Sequence, residues 1–231
     1  MNYYSIHKAV RKIGRGGFPQ SQSVELEAGR TVDDPDFIWK LRPDRFPDIE
    51  PYTGTLILKD GATRTDFISS VTVSFAEVCN ERVAAILEDF DLGETRFYPT
   101  RIKHKGIVYD NYQLLHSINN YSDRIDFYRS DFRQVRIVNN ERVGERCYLN
   151  SFEEFKLLDK KFREADTNDW SKLETFAIVF KDQFNPPSDI FNLSGIISRT
   201  FISERLKNAF DAAGITGIGY DFDGCHIDFS C

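Results

Sequence analysis

The 231-residue sequence predicts an α+β fold: a mixed, largely antiparallel sheet with a few short helices packed on it, and two similar helix–strand units. Three observations lead there. Apolar residues alternate with period two in several runs of strand length, and fall at helical spacing in a few short ones. Strands and helices do not alternate in a steady βαβ rhythm, which speaks against a doubly wound parallel sheet. The stretch NERVAAILEDFDLGETRF, residues 80–97, is echoed 123 positions later by SERLKNAFDAAGITGIGY.

Taken in order, residues 14–54 are rich in glycine, proline and charge, with GRGG at 14–17 and prolines at 19, 35, 43, 47 and 51, so regular structure there is short and interrupted. Within it, residues 25–50 hold eight acids (Glu25, Glu27, Asp33, Asp34, Asp36, Asp44, Asp48, Glu50) against four bases (Arg30, Lys40, Arg42, Arg45). Phe37, Trp39, Phe46 and Tyr52 are threaded through this acidic stretch, which sets it apart from a simple disordered tract. From about residue 67 the pattern turns regular. Val71, Val73 and Phe75 alternate with polar residues as in a strand. Asn80 then caps a helix whose buried stripe is Val83, Ile86, Leu87 and Phe90, with Gly93 near its stop. TRFYPTRI and GIVYDNYQLLHSI read as the next two strands, although the QLLHSI end suits a helix equally well.

QVRIV and RCYLN suggest a hairpin around Asn139–Asn140, followed by a helix capped by Ser151 with Phe155, Leu158 and Phe162 on one stripe. LETFAIVF is an apolar run of strand length, and a Pro186–Pro187 loop follows. In the last unit Ser203 caps, Glu204 sits at the positive end of the helix dipole, Leu206, Ala209, Phe210 and Ala213 form the buried stripe, and Gly214 ends the helix. Only Glu-Arg is identical between the two units, so the resemblance alone does not establish a duplication. The domain reading is an irregular acidic N-terminal region, 1–66, and an α+β domain, 67–231, with one continuous domain as the other possibility.

Composition narrows the function classes. A net charge of −6 argues against a broad nucleic-acid or anionic-membrane partner, which needs a basic face. Cys79, Cys147, Cys225 and Cys231 are far apart and form no CxxC pair, so no zinc cage or disulfide framework is expected. The start, MNYYSIHKAVRK, has no apolar signal region, and a cytoplasmic location is expected. No cofactor and no catalytic set is expected either. GRGG lacks the ending of a phosphate-binding loop, and the four histidines (7, 104, 116, 226) are scattered. Cys225, His226 and Cys231 make a poor metal site, and the aspartates 221, 223 and 228 lack the spacing of a calcium loop, so a turn is the simpler reading. The alternation in CHIDFS suits an edge strand or tail. Nine basic residues between 101 and 146 face six acids and read as a solvated sheet face.

The segments ISRTFISERLKNAFDAAGITGIGYDF, NERVAAILEDF, FYPTRI, NYQLLHSINNYSDRIDFYRSDF and AIVFKDQFNPPSDIFNL resemble, over roughly residues 68–222, a family of bacterial immunity proteins from polymorphic toxin systems, first catalogued as a domain of unknown function. Asp126 and Ser130 stand at that family's Asp and Ser positions. The resemblance implies a cytoplasmic protein that binds and neutralises a cognate toxin without catalysis of its own. On that reading the acidic, aromatic segment supplies the partner face, with Asp33, Asp34, Asp36, Phe37, Trp39, Asp44, Asp48 and Tyr52 as candidate contacts. The alternative is a small-ligand-binding or enzymatic α+β domain, for which a deep pocket around Asp126 or Asp221 would speak.

Overall fold

The computed structural model describes residues 3–8, 18–70, 75–138, 141–164, 171–182, 184–220 and 226–228. In chain order the first strands are β1 (Tyr3–Ser5), β2 (His7–Lys8), β3 (Ser21–Glu25), β4 (Thr55–Leu58), β5 (Phe67–Ile68) and β6 (Glu77–Asn80). Helix α1 (Glu81–Leu87) precedes β7 (Thr95–His104), β8 (Ile107–Ser117), β9 (Asp131–Val138) and β10 (Glu141–Cys147). Helix α2 (Phe152–Glu164) leads to β11 (Ser171–Val179), β12 (Ile190–Leu193) and β13 (Ile197–Ser203), and α3 (Glu204–Ala212) to β14 (Ile218–Gly219) and β15 (His226–Asp228).

The largest sheet has the order β3-β4-β7-β8-β6-β5 and curls into a half-barrel. Pairing is antiparallel except between β4 and β7, and between β11 and β15 in the second sheet, β10-β9-β11-β15. The fold is therefore α+β with mixed sheets, as the periodicity predicts. Lys105 and Gly106, both at positive φ, form the tight turn that lets β7 and β8 run back on each other. QLLHSI completes β8 as a strand instead of turning helical. Val71 and Val73 and the Asn139–Asn140 turn lie outside the described residues, as does GRGG. Phe75 falls in a bend before β6. His226–Asp228 is indeed an edge strand.

The composition shift at residue 66 is crossed by hydrogen-bonded strands. β3 and β4 extend the half-barrel, and β1 pairs with β13 at the other end of the chain. Inside the curl, Leu56, Ile68, Val78, Tyr98, Ile102, Tyr112 and Leu114 form one core, roofed by Phe37, Ile38 and Leu41 from the segment between β3 and β4. A second core, rich in phenylalanine, lies under α2. Ser151 caps that helix, accepting from the Glu154 amide at 3.1 Å.

The third core joins the two helix–strand units, and their correspondence is now residue by residue. In β5–β6, Phe67 pairs with Cys79 and Ile68 with Val78; in β12–β13, Ile190 pairs with Ile202 and Phe191 with Phe201. Each pair is the other shifted by 123, the separation of Glu77 and Thr200, whose side chains meet in the interior. The local chemistry repeats with the register. Thr65 Oγ1 donates to the carbonyl two residues on, at Phe67, and Ser188 does the same to Ile190. Asp66 and Asp189 each lie 14 residues before a helix cap. Each accepts from the cap side chain (Asn80, Ser203) and pairs with the arginine two residues further on (Arg82, Arg205). Val83 and Leu87 of α1 match Leu206 and Phe210 of α3, all four buried in the shared core.

Contacts between the units are reciprocal, the mark of an isologous, two-fold arrangement. Arg82 donates to the Ala213 carbonyl at the end of α3, while Arg205 lies over Phe90 just after α1. The Thr216 amide donates to Asp66 at 2.8 Å and the Asp91 amide to Asp189 at 2.9 Å. One strand of the second unit comes from the far end of the chain. β8 runs beside β6 with Tyr112 opposite the cap Asn80; β1 runs beside β13 with Tyr3 opposite the cap Ser203. Further along, His116 and Ser117 pair with Arg96 and Thr95, and His7 and Lys8 pair with Gly219 and Ile218. The N-terminal strand thus fills in the second unit the place that β8 fills in the first.

Candidate interaction face

The segment between β3 and β4 folds back on itself rather than standing away from the sheet. The Tyr52 amide donates to the Asp36 carbonyl at 2.7 Å and the Ile38 amide to the Tyr52 carbonyl at 3.0 Å, which brings the middle of the acidic stretch beside the residues that follow it. A short 3₁₀ turn, Ile38–Lys40, follows. Its tight pitch separates two neighbouring aromatics. Phe37 is a core residue with 1% of its surface exposed, whereas Trp39 is 52% exposed and braced edge-on against the Phe37 ring at 5.2 Å. Phe37, nominated as a contact, is therefore withdrawn from the surface: it is the anchor that holds Trp39 in place.

Most of the acidity is used internally. Arg30 bridges Asp34 (3.2 Å) and Asp36 (2.6 Å) while its guanidinium lies 4.3 Å from the centre of the Tyr52 ring. Tyr52 accepts from the Glu27 amide at 2.7 Å. Arg42 pairs with Asp44, Arg101 with Glu27 and Lys103 with Glu25. Hydrogen bonds from Thr31, with Arg30 beside it, hold the Asp34 carboxyl below its usual range, and the Arg42 hydrogen bond does the same to Asp44. Among the described residues Asp33, Asp48 and Glu50 keep no ion-pair partner, and neither do Lys40 and Arg45. The exposed residues of this segment are mixed more than acidic: Val32, Trp39 and Ile49 are exposed, as are Asp33, Asp48 and Glu50. Val32 and Ile49 carry no sequence signal of their own; exposed aliphatics in a loop look like any others until the fold shows that they stay in solvent.

The chain matches no family model and no curated protein.

The remaining sites resolve into framework. Ser203 both caps α3 and donates to the buried Asp189, so the Ser-Glu-Arg triplet builds the joint between the units. Ser130 donates to the Asp126 carbonyl at 2.6 Å and accepts from the Val179 amide, fixing the turn that docks on β11. Cys79 and Cys147 are free thiols; burial pushes Cys79 up to about 12, which keeps it protonated and inert. Asp221, Asp223, Cys225 and Cys231 lie outside the described residues. Among the described residues no group of three or more His, Cys, Asp or Glu side chains is placed to hold a metal ion. The gap between α1 and α3 is lined by Phe67, Leu87, Leu115, Leu206 and Phe210 around Glu77, and is too tight for a water. No helix among the described residues is long and apolar enough to cross a membrane.

Proposed function

We propose that this protein binds and neutralises a cognate bacterial toxin by stoichiometric protein–protein inhibition, using the face that carries Val32, Trp39 and Ile49. The observation behind the reading is Trp39: a large aromatic ring held out to solvent by a fully buried neighbour, without a core role of its own. An exposed, preorganised tryptophan among aliphatic and charged groups has the make-up of a binding hot spot, because its burial on a partner costs little ordering entropy. The resemblance to immunity proteins supplies the partner class, and a reducing, cytoplasmic setting suits the free thiols.

Co-expression with the toxin encoded beside this chain is the direct test, with cell survival as the readout. Absence of protection by the intact chain sinks the proposal. Where protection is seen, Trp39→Ala is expected to weaken the complex by about 2 kcal/mol or more. It should shift the unfolding midpoint of the free protein by no more than the equivalent of about 0.5 kcal/mol. A Trp39→Ala protein that binds as tightly as the parent moves the interface elsewhere.

A further inference from the structure

Beneath this face sits a histidine that the binding role does not use. His116, on β8, has no exposed surface and is enclosed by Phe46, Phe75 and Tyr98, with ring centres 5.5, 5.6 and 6.2 Å away. Its Nε2 lies 2.8 Å from the Arg42 carbonyl, so that the ring donates to the turn at residues 42–46. Among the described residues its Nδ1 is buried without a partner. The charged groups around it are few. Arg96 pairs with His116 across β7 and stacks on Phe46 at 4.2 Å; Glu50 faces Tyr98; the Arg42 guanidinium is turned to Asp44; Phe75 brings no charge.

We infer that His116 is a proton-operated latch for the loop that carries Trp39 and Ile49. In the neutral form one N–H ties the turn to the sheet and the free nitrogen faces aromatic carbon. A second proton would place a charge and an unsatisfied donor in that enclosure, beside Arg96. Burial, with Arg96 adding to it, disfavours that charged form in the closed state. The sign follows: the open loop takes up a proton more readily than the closed one. Closure is therefore fully favoured above the ordinary histidine value, about 6.5, and weakens as pH falls below it. As control of partner binding the latch rests on the function proposed above; as a property of the free protein it does not.

Amide hydrogen exchange on the free chain between pH 7.5 and 5 tests it, after correction for intrinsic rates. Protection at Ile38, Leu41 and Tyr52 should fall below pH 6.5 by up to about tenfold per pH unit, the limit for one proton, while amides of β4 and β8 hold. In His116→Gln, which cannot take the proton, loop protection should stay level. Flat protection in the parent overturns the latch, and so does the same fall in the variant. Should that variant fail to fold, the ring titration of His116 in the parent decides: a midpoint at or above 6.5 overturns it. A loop that opens in acid without loss of toxin binding leaves the latch standing and removes the face from the interface.

Discussion

The two helix–strand units share a register, a cap, a buried aspartate and an arginine, yet they are finished differently. The first is closed by its own next strand, β8, across a two-residue turn; the second borrows β1 from the other end of the chain. In the first, Arg96 stands opposite His116 and an added loop roofs the sheet. In the second the equivalent position is Gly219, a position at which a Cβ would lie 2.5 Å from the His7 ring. The frame occurs twice, and the segment between β3 and β4 covers the first. The shared core holds the two units together, and they differ in what closes each one.

The largest break in this comparison is expected from deleting residues 1–8. Tyr3 and Ile6 are buried, and Tyr3 donates to the Pro186 carbonyl at 2.9 Å, so the second unit loses a strand and two core side chains. At about 1.5–3 kcal/mol for each buried side chain, the loss is about 3–6 kcal/mol, read as a urea midpoint. A truncated chain within about 1 kcal/mol of the parent would show that β1 is dispensable.

Next come the paired aspartates. Asp189 is the deeper of the two: Arg205 grips it with two nitrogens and Ser203 and the Asp91 amide also donate to it. Asp66 is held by Asn80 and Thr216, with Arg82 at 3.5 Å. Asp189→Ala should cost about 3–5 kcal/mol, because it leaves the buried Ser203 hydroxyl and the Asp91 amide unmet, and Asp66→Ala about 1–3. Equal losses would mean that the two joints are energetically alike, despite their geometry.

The smallest effect separates the joints by pH. Burial alone would raise the Asp66 carboxyl, but hydrogen bonds from Thr216 and Asn80 and the charge of Arg82 outweigh it and hold the group below its usual range. Its contribution is thus present above the unfolded value, about 3.9, and disappears as pH falls through the lower folded value. Asp66→Asn should flatten the acid limb of the stability curve below pH 4; an unchanged limb would place acid sensitivity elsewhere.

Local chemistry was legible in the sequence and long-range chemistry was not. Asn80, Ser151 and Ser203 announce themselves as caps because each bonds an amide three residues on, within one stretch of chain. The carboxylates that complete two of these caps lie 14 residues upstream in turns that look unremarkable. YYSIHK and YQLLHS share little beyond a tyrosine and a histidine four apart, so the equivalence of β1 and β8 shows only in their pairing. The sequence does not separate Phe37, which is buried, from Trp39, which is exposed, for a different reason. They sit at the edge of a 3₁₀ turn, where neither the strand period nor the α-helical one says which side chain goes in.

The borrowed strand also sets an order of events during synthesis. β1 is made long before its partner β13, which ends at residue 203, so it waits unpaired while the chain between them is synthesised. The hairpin of β7 and β8 closes through neighbouring residues and can form while translation continues, whereas β1 returns to β13 across a far longer loop. Until it does, one edge of β13 stands unpaired and open to any extended segment nearby. The second unit is thus the late, exposed half of the newborn protein, and the stage at which a crowded cell has most opportunity to interfere with it.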